Sequence, residues 1–316
     1  MLLRNISCTF NGRSKVSITN IRLENNDYIA EFSSRYGGNC YRLFHKQSGK
    51  ELLRSPANEE KLNEEIYLYG NPILFPPNRT RGGKFTFEGR EYVFPVNEPQ
   101  TGCHLHGELF RTPFSVEKHT QNEVWFSYTA KAGEYLSFPH AFALKRRYIL
   151  QDDGLHEWVD VCNRSGQNMP FMLAFHTTLC LWDTDSATLR MPVGREQLRD
   201  SNYLPTLEYA GGREREQSLI DGTFAIGKNA VSALYESTGL RAELSCTSEK
   251  RKLVYQADEQ YAYRMLWRRD GADFVAIEPQ TCAIDCFHLE KSAQEKGLII
   301  IAAGETVTLH TRLYME

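Results

Sequence analysis

An all-β fold, one continuous antiparallel architecture of two or more packed sheets, is what this sequence predicts, on three observations. Short runs alternate apolar and polar residues, the pattern that sends successive side chains to opposite faces of a strand. Turns bearing glycine or aspartate separate those runs. Aromatic residues form 12% of the chain, with 16 Tyr and 17 Phe, an enrichment that suits half-buried sheets better than helical bundles. A chain of 316 residues is long for one domain, yet large sandwiches reach roughly 200–250 residues as one unit. No linker divides two compositions, so residues 1–316 are read as one domain.

Taken in chain order, residues 58–65 are the best helical candidate, a short exposed turn without an apolar stripe. Residues 84–87 and 90–94 read as strands about Glu88-Gly89, where glycine supplies the positive φ of a tight hairpin. Residues 123–129 form another strand. A firmer hairpin joins 147–150 to 155–161 through Gln151-Asp152-Asp153-Gly154. Polar or glycine-bearing stretches at 209–217 and 228–230 interrupt the strands, and 239–246 and 274–278 resume them. Residues 298–301, the turn Ala302-Ala303-Gly304-Glu305 and residues 306–311 predict a final hairpin.

Net charge is −3 and the Lys and Arg residues are scattered, which leaves out the basic stripe of a nucleic-acid binder. A neutral or mildly anionic small molecule is the expected partner. Residues 1–7 lack the apolar core of a signal peptide, and no run of about 18 apolar residues occurs, so no membrane partner and a cytoplasmic location are expected. The 8 cysteines are spread widely and read as free thiols. Cys282 and Cys286 lack the further ligands of a zinc site.

Four segments can carry chemistry, each with a plainer reading beside it. Three prolines stiffen residues 71–79, so Asn78 and Arg79 end a rigid run with donors suited to hydroxyl or carbonyl oxygens; a proline-rich loop with an exposed charged end is the plain reading. In Cys103-His104-Leu105-His106-Gly107, the two histidines share a face if extended, and an ordinary surface His104 accounts for one of them. His176 interrupts the apolar run 171–179, where burial moves an imidazole's proton affinity easily; it is a proton donor or a satisfied core histidine. Glu278 ends the apolar run 274–278 before Pro279, and burial would raise its pKa toward that of a useful base; a salt-bridged structural Glu fits too. Asp221 precedes Gly222, above all a turn signal. Asp221 and Glu278 would serve a two-carboxylate glycoside hydrolase, a reading that leaves the histidines idle.

In order, these segments resemble the aldose 1-epimerases, or galactose mutarotases, over nearly the whole chain. Tyr36-Gly37-Gly38-Asn39 and Gly49-Lys50-Glu51-Leu52-Leu53 resemble the family's opening strands. Asn78-Arg79, Gly83-Lys84-Phe85 and Glu88-Gly89 are similar to its Asn-Arg-Ile, Gly-x-Phe and Asp-Gly series, with Thr80 in place of Ile. Leu105-His106-Gly107 matches its Leu-His-Gly, and Phe175-His176-Thr177 resembles its second histidine motif. Asp221 before Phe224 resembles its Asp-His-x-Phe segment, with Gly222 in place of His, and residues 276–280 resemble the segment of its catalytic glutamate. Leu253 stands where galactose mutarotases tend to have glutamine.

The resemblance implies a galactose mutarotase-like β-supersandwich that needs no cofactor or metal and interconverts the α and β anomers of a free hexose. It implies Glu278 as base and His176 as acid, with Arg79, His106, Asp221 and Asn78 binding sugar. A phosphosugar mutarotase on the same fold would need further cations, for which Arg81 and Arg111 are candidates; a non-catalytic sugar-binding protein or sensor is another alternative.

Overall fold

The computed structural model describes residues 21–247 and 249–316; the N-terminal stretch 1–7 lies outside them. Two large antiparallel sheets carry the fold. The first runs Ser115–His119, Glu123–Ala130, Phe142–Gln151, Gly154–Asn163, Thr306–Met315, Leu253–Ala257, Arg241–Ser245, Thr188–Arg190, Phe224–Ala225. The second runs Pro205–Ala210, Val193–Arg199, Val231–Ser237, Tyr263–Arg268, Phe274–Gln280, Ala174–Phe175, Ile73–Leu74, and Thr178–Cys180 also pairs Phe274–Gln280. The expected hairpins about Glu88-Gly89 and Asp152-Asp153 both form, and residues 58–65 hold a short helix, α1 (Glu59–Glu64), capped by Asn58.

Alternation explains the first sheet. Along Phe142–Gln151, Phe142, Leu144, Arg146, Tyr148 and Leu150 are buried while the residues between them are partly exposed. The apolar set joins the main core with residues of the second sheet such as Leu266, Val275 and Ile277. Phe274–Gln280 is buried along its whole length, because one face meets that core and loops cover the other; a strand covered on both faces reads as a continuous apolar run.

One member of the buried set on Phe142–Gln151 is Arg146, which is fully buried. Its Nε donates to Glu157 at 2.7 Å, Nη1 to the Gly37 carbonyl at 2.7 Å and Nη2 to the Asn71 carbonyl at 2.9 Å. Asn71 Nδ2 donates to the other Glu157 oxygen at 2.6 Å, and Thr177 Oγ1 bonds Asn71 Oδ1 at 2.5 Å and the Tyr255 hydroxyl at 2.9 Å. Every Arg146 nitrogen therefore has an acceptor, the condition under which a desolvated charge pair is tolerated.

Two sequence expectations are corrected. The final hairpin does not form: Ile299–Ile301 pairs Met169–Phe171, while Thr306–Met315 pairs Gly154–Asn163 and Leu253–Ala257. Its turn closes, with the Glu305 N–H on the Ala302 carbonyl at 3.0 Å, but Asn163 parts the two arms. Asn163 Nδ2 donates to the Ile301 carbonyl at 2.8 Å, while its backbone exchanges bonds with Gly304 and Glu305. Residues 209–217 are more than an interruption, since they run into a helix, α2 (Glu214–Asp221), that buries Leu219 and ends on Gly222 at φ 77°. Acidic Glu214 and Glu216 favour its first turn.

Glu157→Gln leaves the Arg146 charge buried without its counter-ion. We expect a loss of about 3–5 kcal/mol of unfolding free energy in urea denaturation, whereas Arg147→Gln, breaking the partly exposed pair with Asp160, should cost less than about 1 kcal/mol. Equal losses would refute the role given to the buried network.

Candidate active site

Sheet register brings His176 and Glu278 together. Ala174 lies opposite Gln280 and Thr178 opposite Ala276, which centres His176 across from Glu278, and the Ile277 N–H on the Thr177 carbonyl at 3.0 Å holds that alignment. His176 Nε2 is 3.3 Å from Glu278 Oε1, with the side chains only 4% and 3% exposed. Both plain readings therefore fail in part: His176 Nδ1 has no partner, and Glu278 has no salt-bridging Arg or Lys among the described residues.

Burial disfavours charge on both groups. It raises the Glu278 carboxyl to about 8, against a weaker opposing pull from Arg199, and lowers His176 to about 4. Between these values the pair holds one titrating proton. A carboxyl beside a neutral imidazole and a carboxylate beside an imidazolium contain the same number of protons, so one partner can always give while the other takes.

His106 stands beside the pair, near enough to Arg79 for the guanidinium to act on it. Arg79–Arg81 pairs with Cys103–Leu105, and the Arg79 guanidinium is gripped on two nitrogens by Glu98, both at 2.6 Å. The His106 ring lies 5.8 Å from that of His176, and the Tyr67 ring lies 5.7 Å and 5.6 Å from the two. Burial, then the neighbouring His176, holds His106 well below the ordinary histidine range, so it serves as a neutral hydrogen-bonding group. Its backbone is tied to Asn78, whose carbonyl accepts the His106 N–H at 3.0 Å, while the Asn78 N–H reaches His106 Nδ1 at 3.3 Å. Gly107 explains the Leu-His-Gly triplet: at φ 66°, a Cβ there would fall 1.7 Å from the Phe75 carbonyl oxygen, so no side chain fits. Phe75 itself is locked among the rings of Tyr135, Phe138, Phe142 and Phe171.

Other expectations fall away from this cluster. Asp221, the last residue of α2, is exposed, accepts from Gln217 at 3.0 Å and shares no bond or ion pair with His176 or Glu278; its turn reading is the one the structure follows. His104 is fully buried, not on the surface, with Nδ1 on the Pro95 carbonyl at 2.7 Å. Leu253 lies in the core of the first sheet opposite Leu244 and Met315, so it does not line the cluster. Arg81 pairs with Asp285 and Arg111 with Glu108, each about half exposed. Cys40, Cys103, Cys162, Cys282 and Cys286 are free thiols.

Three residues went unread in the sequence. Trp267, on Tyr263–Arg268, sets its ring 5.6 Å from His176, and Tyr67 faces both histidines. Arg199 is near enough to Glu278 for their charges to interact. Only strand pairing reveals them; no local spacing marks any of the three. Among the described residues, no group of three or more His, Cys, Asp or Glu side chains is placed to hold a metal ion, and no helix is long and apolar enough to cross a membrane.

A two-sheet β-sandwich of this topology is of the galactose mutarotase-like class. The chain belongs to the aldose 1-epimerase family, whose model matches residues 19–314. It is 22% identical over 257 residues to the uncharacterized protein YphB of Escherichia coli strain K12, covering 78% of this chain and 83% of that protein. A galactose mutarotase-like protein from Clostridium acetobutylicum has the same fold at TM-score 0.88 and 24% identity, covering 93% of this chain and 94% of that one. A putative aldose 1-epimerase from E. coli K12 gives TM-score 0.79 at 19% identity, covering 94% of this chain and 99% of that one.

The raised proton affinity of Glu278 has a stability signature. Folded, its carboxyl titrates at about 8 instead of the ordinary 4.5, so its stabilising contribution is present below the ordinary value and is lost as pH rises through about 8. Glu278→Gln removes that loss. Its melting temperature relative to the unaltered protein should therefore be higher at pH about 9 than at pH about 5 in scanning calorimetry; a pH-independent difference would contradict the shift.

Proposed function

We propose that the protein is a mutarotase that interconverts the α and β anomers of an aldohexose by acid–base ring opening. The observation that carries this reading is the His176–Glu278 pair, desolvated, directly opposed across two strands and holding one proton between its two titration steps. In the reactive form the proton lies on His176. The Glu278 carboxylate takes the proton of the anomeric hydroxyl as the C1–ring oxygen bond breaks, and the His176 imidazolium gives its proton to the departing ring oxygen. The product is the open aldehyde with a hydroxyl on C5, and the pair still holds one proton, now on Glu278. Rotation about the C1–C2 bond turns the other face of the aldehyde to that hydroxyl. Reclosure runs the transfers backward: His176 takes the C5 hydroxyl proton and Glu278 protonates the carbonyl oxygen.

Arg79 and His106 suit the sugar oxygens beside the pair. Glu98 holds the guanidinium in one orientation, which lowers the ordering cost of binding, and a neutral His106, whose Nδ1 accepts the Asn78 N–H, carries its proton on Nε2 and can donate it to one sugar oxygen. The rings of Tyr67 and Trp267 offer apolar faces to the C–H side of a pyranose.

Polarimetry of freshly dissolved α-glucose or α-galactose tests the reading. Acceleration over the spontaneous rate is expected, with a loss of roughly 10²–10⁴-fold in Glu278→Gln and in His176→Phe. No acceleration across several aldoses would refute it, and full activity in Glu278→Gln would refute the assigned base.

The pH profile of kcat/KM should be bell-shaped. Its acid limb falls near pH 4, where the pair takes a second proton, and its alkaline limb near pH 8, where the pair loses its only one. A profile flat from about pH 6 to pH 10 would rule out the shared proton.

A further inference from the structure

Tyr67 and Trp267, whose rings lie against His176, each have a charged residue two positions away in the chain, and those two charges are paired. Tyr67 sits in the short turn Ile66–Leu68 that follows α1, with Glu65 immediately before the turn. Trp267 sits near the end of Tyr263–Arg268, with Arg269 immediately after the strand. Arg269 grips Glu65 with both terminal nitrogens, Nη1 on Oε1 at 2.5 Å and Nη2 on Oε2 at 3.3 Å. The two residues are 204 positions apart, so the pair joins elements that meet only through folding.

A second arginine anchors the clasp. Arg54 Nη1 donates to the Leu68 carbonyl at 3.0 Å and reaches Glu65 Oε2 at 3.5 Å, and its guanidinium lies over the rings of Tyr69 and Phe274 at 4.2 Å and 4.3 Å. Its own N–H donates to the Thr178 carbonyl at 2.9 Å, two residues beyond His176. Tyr67 and Trp267 pack on one small apolar cluster of Leu68, Ala272 and Phe274. Apolar contact is non-directional, so it keeps the rings close to His176 without fixing their orientation. The charge-assisted bonds supply direction. The Glu65 and Arg269 side chains are 31% and 47% exposed, and ion pairs that exposed add little to the stability of a fold. The consequence of this one falls instead on where the turn sits.

Both rings are only partly buried, which leaves part of each open to a ligand beside the acid–base pair. We propose that Glu65 is a positioning residue: clasped by Arg269 and Arg54, it sets the placement of Tyr67 and Trp267 as the walls of an aromatic slot at His176 that receives the apolar face of a pyranose. The sugar as occupant rests on the mutarotase reading; the clasp and its effect on the rings do not. A slot set before the ligand arrives lowers the ordering cost of binding, and lowers it equally before and during ring opening. Loss of Glu65 therefore weakens binding and spares turnover.

Two readouts separate position from fold. In the sugar-free protein, the ring-proton resonance of His176, followed by NMR with labelled histidine, is shifted by both aromatic rings. Glu65→Ala should move it, and Glu65→Gln, whose amide oxygen still accepts from Arg269, should move it less. Lys61→Gln, which breaks the exposed Lys61–Glu64 pair on α1, should leave it in place. Calorimetric titration with methyl α-glucoside and methyl α-galactoside, which cannot open, should show the dissociation constant raised about three- to fivefold in Glu65→Ala, with kcat in polarimetry within about twofold of the unaltered protein. In a Tyr67→Ala background the same substitution should weaken binding less than about twofold further. An unmoved resonance, or losses that simply add in the double variant, overturns the proposal; should Glu65→Ala fail to fold by circular dichroism, Arg269→Gln is read from the other side of the clasp against the same outcomes. Mutarotation with glycoside binding that ignores Glu65 refutes the slot and leaves the mutarotase reading standing. Glycoside binding that depends on Glu65, found with no acceleration of any aldose, supports the slot and refutes that reading.

Discussion

A charge pair taken wholly out of water, Arg146 with Glu157, is the constraint around which the rest of the molecule is arranged. Such a pair is tolerated only if each remaining donor and acceptor is met. Here the partners come from far apart in the chain: the Gly37 carbonyl from the Gly-Gly turn, both ends of the Asn71 side chain and its carbonyl from the segment leading to Arg79, and Thr177 from the strand pair that carries the site. Together these bonds tie four separated segments to one arrangement, so the network favours one way of closing the sheets. Thr177 adjoins His176, which places this structural device one residue from the chemistry.

The two buried glutamates show how environment separates a structural carboxyl from a reactive one. Both are buried and both have their carboxyls raised by desolvation. Glu157 receives Arg146 and Asn71 on its two oxygens at 2.7 Å and 2.6 Å. Glu278 receives only a long contact from His176 at 3.3 Å. Full satisfaction immobilises a charge; partial satisfaction leaves a proton that can move. The orphaned Nδ1 of His176 belongs to the same pattern, because no second group fixes its tautomer.

Much of the fold was legible because strands declare themselves locally. Alternation and turn residues mark the Lys84–Phe87/Arg90–Val93 and Phe142–Gln151/Gly154–Asn163 hairpins. The final hairpin misled because local signals report a turn but not which neighbour takes each arm, and Asn163 decides that from 138 residues away. Helix α2 was hidden for a related reason: its amphipathic signal is one buried leucine and one buried glutamate. In the site, His176 and Glu278 stood out as polar residues in apolar runs, whereas their union follows from a register that no local window contains. Asp221 had only motif order in its favour, and Gly222, a helix-ending glycine, accounts for it. Arg199 sits in a polar stretch and gains meaning only when folding brings it near enough to Glu278 for their charges to interact.

Register ties stability to chemistry at the pair. Side chains along a strand alternate faces, so a slip of one residue between Phe274–Gln280 and its neighbour would turn Glu278 into the core between the sheets and Ile277 out toward the loops. Opposing it are the burial of Val275 and Ile277 on the core face and the Ile277-to-Thr177 backbone bond, with Thr177 in turn held by Asn71 and the buried ion pair. The site is thus held in place by apolar contacts on the far side of its own strand, and a substitution that loosened Ile277 would act on the proton transfer without touching either group that performs it.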